Sequence, residues 1–514
     1  MKVLTAFYDL KVSPTTYDIT SFLFLAEMWR RGHNLDVLDL IVVANDAFDG
    51  FRENERDTPK EQKEWMLHHV LLRCDTLVKA CRRVAYFPDR EEARRLSKRA
   101  HFVYPARYDI DSPNTPYLAK ETVHLGLRGY PYAAFEPTQN AIQYIDNWLS
   151  IRAHERKTIT ITLRESQRQE SRNSNFPAWL KFAKSLDQGI YFPLFLRDTG
   201  SIFTPPNIEF DGFHCCDLSS LNLELRMALY ARAYLNLLVN NGPNNLLIHN
   251  PNARFIQFRP SGGGTNTTEE YLATGGLTRD YAPVLRTTYQ KVLFDTDTFE
   301  NISLRFEQMV ENIEANLPIK YDDWDSPEIW FERFIETGAF KDAERLLDLV
   351  SDNSDDPDAV KSEFEANVLT SVNFLIKAGH KGAALNGMHI LVERNPNNIE
   401  LGFNLLAILL QLGTAQEILT ELERLESLSA ELSGLQLLWA EILKKEGRHS
   451  EALGRLDIHL NHTPDHVDAL ILYAEILGEC GDMTSRETLL LRVLSELPPN
   501  DSERRARILA NLEK

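Results

Sequence analysis

The chain is short of cysteine, of positive charge and of long apolar runs, and each shortage closes a class of function. Five cysteines (Cys74, Cys81, Cys215, Cys216 and Cys480) lie scattered through 514 residues with no zinc-like spacing. They read as buried free thiols of a reducing compartment, not as a disulfide frame. Basic residues number 56 against 75 acidic ones, a formal net charge of −19. Sequence-independent nucleic-acid binders neutralise phosphates with an excess of Lys and Arg, so DNA and RNA are not expected partners. An anionic ligand must then be held locally, by a few arginines or a helix start, against the overall field. No apolar run nears the ~18 residues that span a bilayer, and MKVLTAFYDLKV lacks the charged-then-apolar order of a secretory signal. A cytoplasmic location without a membrane span is the expectation. The 43% hydrophobic and 25% charged residues make a globular composition, and the length suits about two to four domains.

Gly379, Gly413, Gly447 and Gly481 recur at intervals of 34 residues, and Pro396, Pro464 and Pro498 each follow one of them by 17. The Gly413 unit has Ala430 at that place. Five positions after the glycines stand Ala384, Ile418, Ala452 and Arg486; a degenerate earlier unit, ETGAFKDAERLLDLV, has Gly338 and Ala343 at the same offset. The acidic insertion SDNSDDPD stretches the interval to Gly379 to 41. A 34-residue period belongs to a helical hairpin that buries its apolar face only by stacking on its neighbours. Residues 325–514 therefore resemble a tetratricopeptide-repeat module. Such a module implies a protein or peptide partner, or self-association into a homo-oligomer, and no chemistry of its own. Arg504, Arg505 and Arg507 read as a solvated end of the last helix.

The first two thirds alternate strand and helix. KVLTAFYDL, LDVLDLIVVAND and RAHFVYPARYD read as strands, separated by the amphipathic TSFLFLAEMWRRGH and EQKEWMLHHVLLRCDTLVKACRRV. After the charged IRAHERK the pattern restarts, with TITITLRE, YFPLFLRD, YLNLLVN and ARFIQF as strands and a last helix in DTFENISLRFEQMVENI. The expected fold class is α/β, with two Rossmann-like domains (1–150 and 157–317) facing a cleft, followed by an all-α repeat solenoid (325–514). In doubly wound sheets ligands sit beyond the carboxyl ends of the strands.

Those ends are polar in the second domain. The first strand runs into Arg164, Glu165 and Ser166, with Arg172 and Asn173 further along its loop. The next ends in Arg197, Asp198 and Thr199, and the third in Asn240, Asn241, Gly242 and Pro243. Proline suits the first helical position, and glycine permits a sharp turn and a close approach. The amides of Asn244, Asn245 and Leu246 would open toward an anion such as a pyrophosphate, with Arg164 or Arg172 adding bidentate contacts. The plain alternative is that Asn240 and Asn241 cap a short helix. SGGGTNTT (261–268) is either a phosphate or sugar loop or a flexible linker.

LLVNNGPNNLLIHNPNARFIQF resembles the donor segment of GT-B glycosyltransferases such as the heptosyltransferases, and ITITLRES is similar to the nucleotide-diphosphate strand of fucosyltransferase-like members. The resemblance covers residues 157–317 and reaches the first domain only as topology. It implies that Asn241, Gly242, Pro243 and Asn244, with Arg164, hold a nucleotide-sugar, which is a substrate and not a cofactor; Asn240, Arg172 and Asn173 join them as polar residues of the same strand ends. It also implies that no metal is needed and that the base comes from the N-terminal domain. Asp9 and Asp46, at strand ends, are candidates there, with His101 a third whose alternative is a structural role; Glu165 is an additional candidate, unless it orients Arg164. RYDIDSPNTPY (107–117) is a cleft-edge loop or an ordinary surface loop. The function expected is transfer of sugar to an acceptor engaged with help from the repeats. The alternatives are an inactive scaffold of the same shape and a sugar-nucleotide epimerase.

Overall fold

A computed structural model describes residues 1–114, 118–132, 134–166, 170–198, 210, 212–259, 261–262, 267–274, 277, 279, 287–317, 326–354, 356–428, 434–498 and 501–512. Four parallel strands, β1 (Val3–Asp9), β2 (Val37–Val43), β3 (Cys81–Phe87) and β4 (Phe102–Tyr104), form one sheet in the order β3-β2-β1-β4. Six more form a second parallel sheet: β5 (Lys157–Thr162), β6 (Tyr191–Leu196), β7 (His214–Cys215), β8 (Leu235–Val239), β9 (Phe255–Phe258) and β10 (Gln290–Leu293). Their order is β10-β9-β8-β5-β6-β7. Central strands such as VLDLIVV and LNLLV are almost wholly buried, because crossover helices cover both faces.

In both sheets the chain moves outward from its first strand and then returns to that strand's other side. β4 pairs with β1, and β8 pairs with β5 in the register Thr162↔Leu238. Each sheet thus has one switch point where the loops part and a crevice opens beyond the carboxyl ends. Three strands depart from the sequence expectation. β3 occupies CRRVAYF, where a continuous helix was expected; that helix ends at His69, and a 3-10 turn covers Leu71–Leu77. β7 and β10 are short edge strands with too few residues to show a period.

The two sheets share one apolar core, in which Leu4, Phe22 and Phe24 join Leu194, Leu196, Leu238 and Phe255. Helices Gln139–Arg152 and Leu223–Arg232 meet across it, with Arg232 and Asp146 paired at 2.8 Å on its rim. On the same seam, Ser21 Oγ lies 2.9 Å from His249 Nε2, and the imidazole stacks on Phe24 at 4.0 Å. Helix Phe299–Glu314 closes the far face of the second sheet through Ile302, Phe306 and Met309.

Contacts divide the chain into two units, Met1–Arg333 with Asp348–Val350, and Phe334–Leu347 with Ser351–Lys514. The second is built of helical hairpins: Pro357–Lys377 with Lys381–Arg394, Ile399–Leu412 with Ala415–Leu428, Gly434–Lys445 with His449–His462, and Val467–Glu479 with Met483–Glu496. Gly379, Gly447 and Gly481 turn the hairpins at φ of 83°, 71° and 85°, a region that penalises any side chain. Gly413 is different, at φ −77°. Beside it Thr414 and Glu417 make a reciprocal capping box, the Thr414 amide reaching the carboxylate at 2.8 Å. Pro396, Pro464 and Pro498 lie between hairpins, while Ala430 lies outside the described residues. Ala384 and Ala452 are fully buried, and where Arg486 takes the same position its stem crosses Gly478.

Candidate functional site

At the first sheet's switch point the strand end is closed by its own charges. Asp9, the last residue of β1, is 1% exposed and accepts a fork from Arg90, with both nitrogens at 2.9 Å. It also accepts the Tyr108 hydroxyl at 2.6 Å and the Lys11 amide at 3.0 Å. Arg90 directs further donors to the carbonyls of Ala44 (2.8 Å) and Ile110 (2.6 Å). Burial, then the Asp9 carboxylate, pushes the Tyr108 phenol well up, so it stays a donor. A carboxylate holding four donors is a tie between loops, and this geometry argues against the part of a free base for Asp9. Asp46, after β2, is exposed and forms no ion pair among the described residues; it lines a depression of ≈ 300 Å³ with Lys11, Arg90 and Asp111. His101 is an exposed residue just before β4. Residues 115–117 of the 107–117 loop lie outside the described residues.

The second sheet's switch point is built otherwise. The chain leaving β5 is folded back on itself: the Arg164 amide reaches Ser174 Oγ at 2.9 Å, and Ser174 returns a bond to the Arg164 carbonyl at 3.0 Å. Asn173 pins the same loop, its amide exchanging bonds with Ser166 at 3.0 and 2.9 Å. Asn173 is therefore engaged in holding the loop. Arg164 and Arg172, from the two limbs of this loop, converge with Arg259, which follows β9. Burial first, and then repulsion from Arg164 and Arg259, pushes the Arg172 guanidinium down to about 10. Burial also lowers Arg164, against the opposing pull of Asp198. Glu165 points to the other side and pairs with Arg197 at 3.4 Å, accepting the Asp198 amide at 3.3 Å. Successive residues of an extended chain face opposite ways, so Glu165 lines up with the β6 loop. Thr199 lies outside the described residues.

The Asn-Asn-Gly-Pro step corrects one expectation. The amides of Asn244, Asn245 and Leu246 do not open outward. Each donates to the carbonyl three residues back, on Asn241, Gly242 and Pro243, at 3.1–3.2 Å. The helix that follows, Asn244–Ile248, is only five residues long, too short for a dipole-based anion site. Gly242 is needed for a protein neighbour: a Cβ there would lie 2.9 Å from the Tyr17 ring. Asn245 adds a bond to the Tyr17 carbonyl at 3.3 Å, so the step packs on the start of helix Asp18–Gly32. Asn240 is the first residue past β8. Asn241 and Asn244 each keep a buried side-chain oxygen that no described donor meets, while the Asn244 amide nitrogen donates to Gln257. Both acceptors follow the carboxyl end of β8, the strand that pairs with β5.

Several residues of this edge escape a sequence reading. Arg226 is 1% exposed and meets only Ser220 Oγ at 3.1 Å and, at 3.4 Å, Tyr17 Oη and the Arg197 carbonyl. No described carboxylate lies within ion-pair reach of it. Arg259 occupies the same strand-end position as Arg164, and inspection of every strand end would have found it. Asp297 (3% exposed) pairs with Arg259 at 2.8 Å. Nothing in FDTDTF marks it apart from Asp295. Among the described residues no group of three His, Cys, Asp or Glu is placed to hold a metal, and no helix is long and apolar enough to cross a membrane.

With this geometry in place, comparison with known proteins bears on the helical end. Residues 302–497 match the tetratricopeptide-repeat family model. The C-terminal region carries tetratricopeptide repeats. No curated protein matches the chain. Similar solved structures include YrrB, titled a TPR protein with an unusual peptide-binding site, at 15% identity, covering 41% of this chain and 97% of its own, with a TM-score of 0.26. A thermophilic TPR protein of Thermus thermophilus is 18% identical, covering 37% and 98%, with a TM-score of 0.24. MamA from Desulfovibrio magneticus RS-1 is 12% identical, covering 34% and 96%, with a TM-score of 0.25. The repeats make this end of the chain a protein-interaction module.

Proposed function

We propose that the α/β unit is a glycosyltransferase of the GT-B type that takes a nucleotide-sugar, with its repeats engaging a protein or peptide acceptor or partner. The observation that carries the reading is geometric: Arg164 and Arg172 stand on one folded-back loop beyond β5, at the switch point of the β5–β10 sheet, and Arg259 from the end of β9 grips that loop by its carbonyls. A multiply charged anion suits this concentration of positive charge: a diphosphate offers fork-shaped acceptors to Arg164 and Arg172, while Arg259, whose fork is turned to the loop carbonyls and Asp297, adds charge alone. Acceptor deprotonation then falls to Asp46, the one carboxylate of the three candidates that is exposed and outside any described ion pair.

A second reading, a catalytically inactive scaffold acting through the repeats, draws support from Asp9 and Glu165. Both carboxylates are engaged by arginines. Calorimetric titration of the full chain with UDP, GDP, ADP and CMP, followed by hydrolysis assays with the matching sugar nucleotides, separates the two. The transferase reading expects saturable binding of one nucleotide, lost in Arg164→Ala, and slow sugar release that Asp46→Asn abolishes. Binding without release favours the scaffold, and no binding at all removes the donor site.

A further inference from the structure

Arg172 belongs to a short loop, and the loop is gripped from one side. The side chain of Arg259 reaches under it and donates to three consecutive carbonyls, those of Ser171 (3.2 Å), Arg172 (3.3 Å) and Asn173. The other edge of the same guanidinium meets Asp297 at 2.8 Å. Asp297 is fixed in turn, its second oxygen accepting the Asn175 amide at 2.8 Å and the Trp179 indole at 2.9 Å. Arg259 itself sits at φ 46°, a left-handed turn that non-glycine residues rarely adopt. Its amide is held there by the carbonyls of Leu293 and Asp295. Strain of this kind persists only where the surroundings over-determine it. Finally, Gly262 leaves a bare stretch of backbone under the Arg172 stem, for a Cβ there would stand 2.6 Å from Arg172 Cγ.

We infer that Arg259, Asp297 and Gly262 are positioning residues, which set the guanidinium of Arg172 over the switch point without themselves touching the ligand. The inference rests on the anion-binding reading given above and deepens it. Arg259 has its fork turned to the loop carbonyls and to Asp297, so its charge contributes to the field while its donors are engaged by the protein. Lysine keeps that charge but cannot span three carbonyls and a carboxylate, which separates position from charge.

The experiment is a double-mutant cycle on the full chain, with inorganic pyrophosphate as probe in calorimetry and amide hydrogen exchange of residues 171–175 as a second readout. Arg172→Ala is expected to raise the Kd tenfold or more, and Arg259→Lys to raise it by a similar factor with unchanged charge. Arg259→Lys is then expected to add less than twofold in the Arg172→Ala background, and to speed exchange in 171–175 while amides of the β5–β10 strands keep their protection. Gly262→Ala, which leaves both arginines intact, should raise the Kd in the same way and serves if Arg259→Lys does not fold. Two results overturn the inference: a wild-type Kd in Arg259→Lys, or a further tenfold loss on top of Arg172→Ala. Absence of any pyrophosphate binding in the wild type would sink the anion-binding reading itself. The positioning claim then stands or falls on exchange, and unchanged protection of 171–175 in Arg259→Lys refutes it.

Discussion

The two sheets of the α/β unit share a topology and differ in what they place at its switch point. Beyond β1, Asp9, Arg90 and Tyr108 satisfy one another, and the edge is electrically closed. Beyond β5, Arg164 and Arg172 share one loop that Arg259 grips by its carbonyls, while Glu165 and Asp297 pair with Arg197 and Arg259. On the function proposed above, the same fold uses charge for stability at one edge and for recognition at the other.

That contrast can be broken by exchanging what each edge loses on mutation. The largest effect is expected at the closed edge, where Asp9→Ala leaves the mostly buried Arg90 without its counter-charge. Breaking a buried pair costs about 3–5 kcal/mol, seen in denaturant unfolding, with nucleotide or pyrophosphate affinity in the surviving folded fraction unaltered. Arg164→Ala is expected to do the reverse. Its binding loss is about 1.5–3 kcal/mol, the worth of a charge-assisted hydrogen bond, and its unfolding midpoint should stay at the wild-type value. Should Asp9→Ala weaken binding as much as Arg164→Ala does, the two edges are not functionally distinct.

The seam between the sheets supplies a pH test. Burial pushes the His249 imidazole down to about 3, so in the folded chain it stays neutral while the unfolded chain takes up a proton near 6.5. Its contribution is complete above pH 6.5 and is lost as pH falls toward 3, with a slope of about 1.4 kcal/mol per pH unit at most. His249→Gln should flatten that part of the stability profile; an unchanged profile would place the titration elsewhere. The smallest effect belongs to the repeats. Gly447→Ala meets no neighbour, so only the left-handed backbone at φ 71° opposes it. A loss of about 1 kcal/mol is expected, with no change in anion binding.

Legibility in the sequence followed the length of each signal. The repeats were legible because their glycine and proline grid recurs over more than a hundred residues, and the one unit without its proline is also the one whose glycine leaves the left-handed region. The long buried strands were legible from their apolar runs. β3 was not, since CRRV extends the helical spacing of the residues before it although the chain has already turned at Lys79–Ala80. At the candidate site, Arg164 and Arg172 could be found by reading past each strand. The part played by Gly242 could not, because the Tyr17 ring it accommodates is more than two hundred residues away. The same holds for Asp297 and for its pairing with Arg259, which is purely tertiary.

The most direct measurement is calorimetric titration of the full chain and of the Arg164→Ala/Arg172→Ala double variant with inorganic pyrophosphate and the four nucleotides. The account predicts saturable binding to the wild type at one site, weakened at least a hundredfold in the double variant while its unfolding midpoint is unmoved. Equal binding by the two proteins, or none by either, would contradict it.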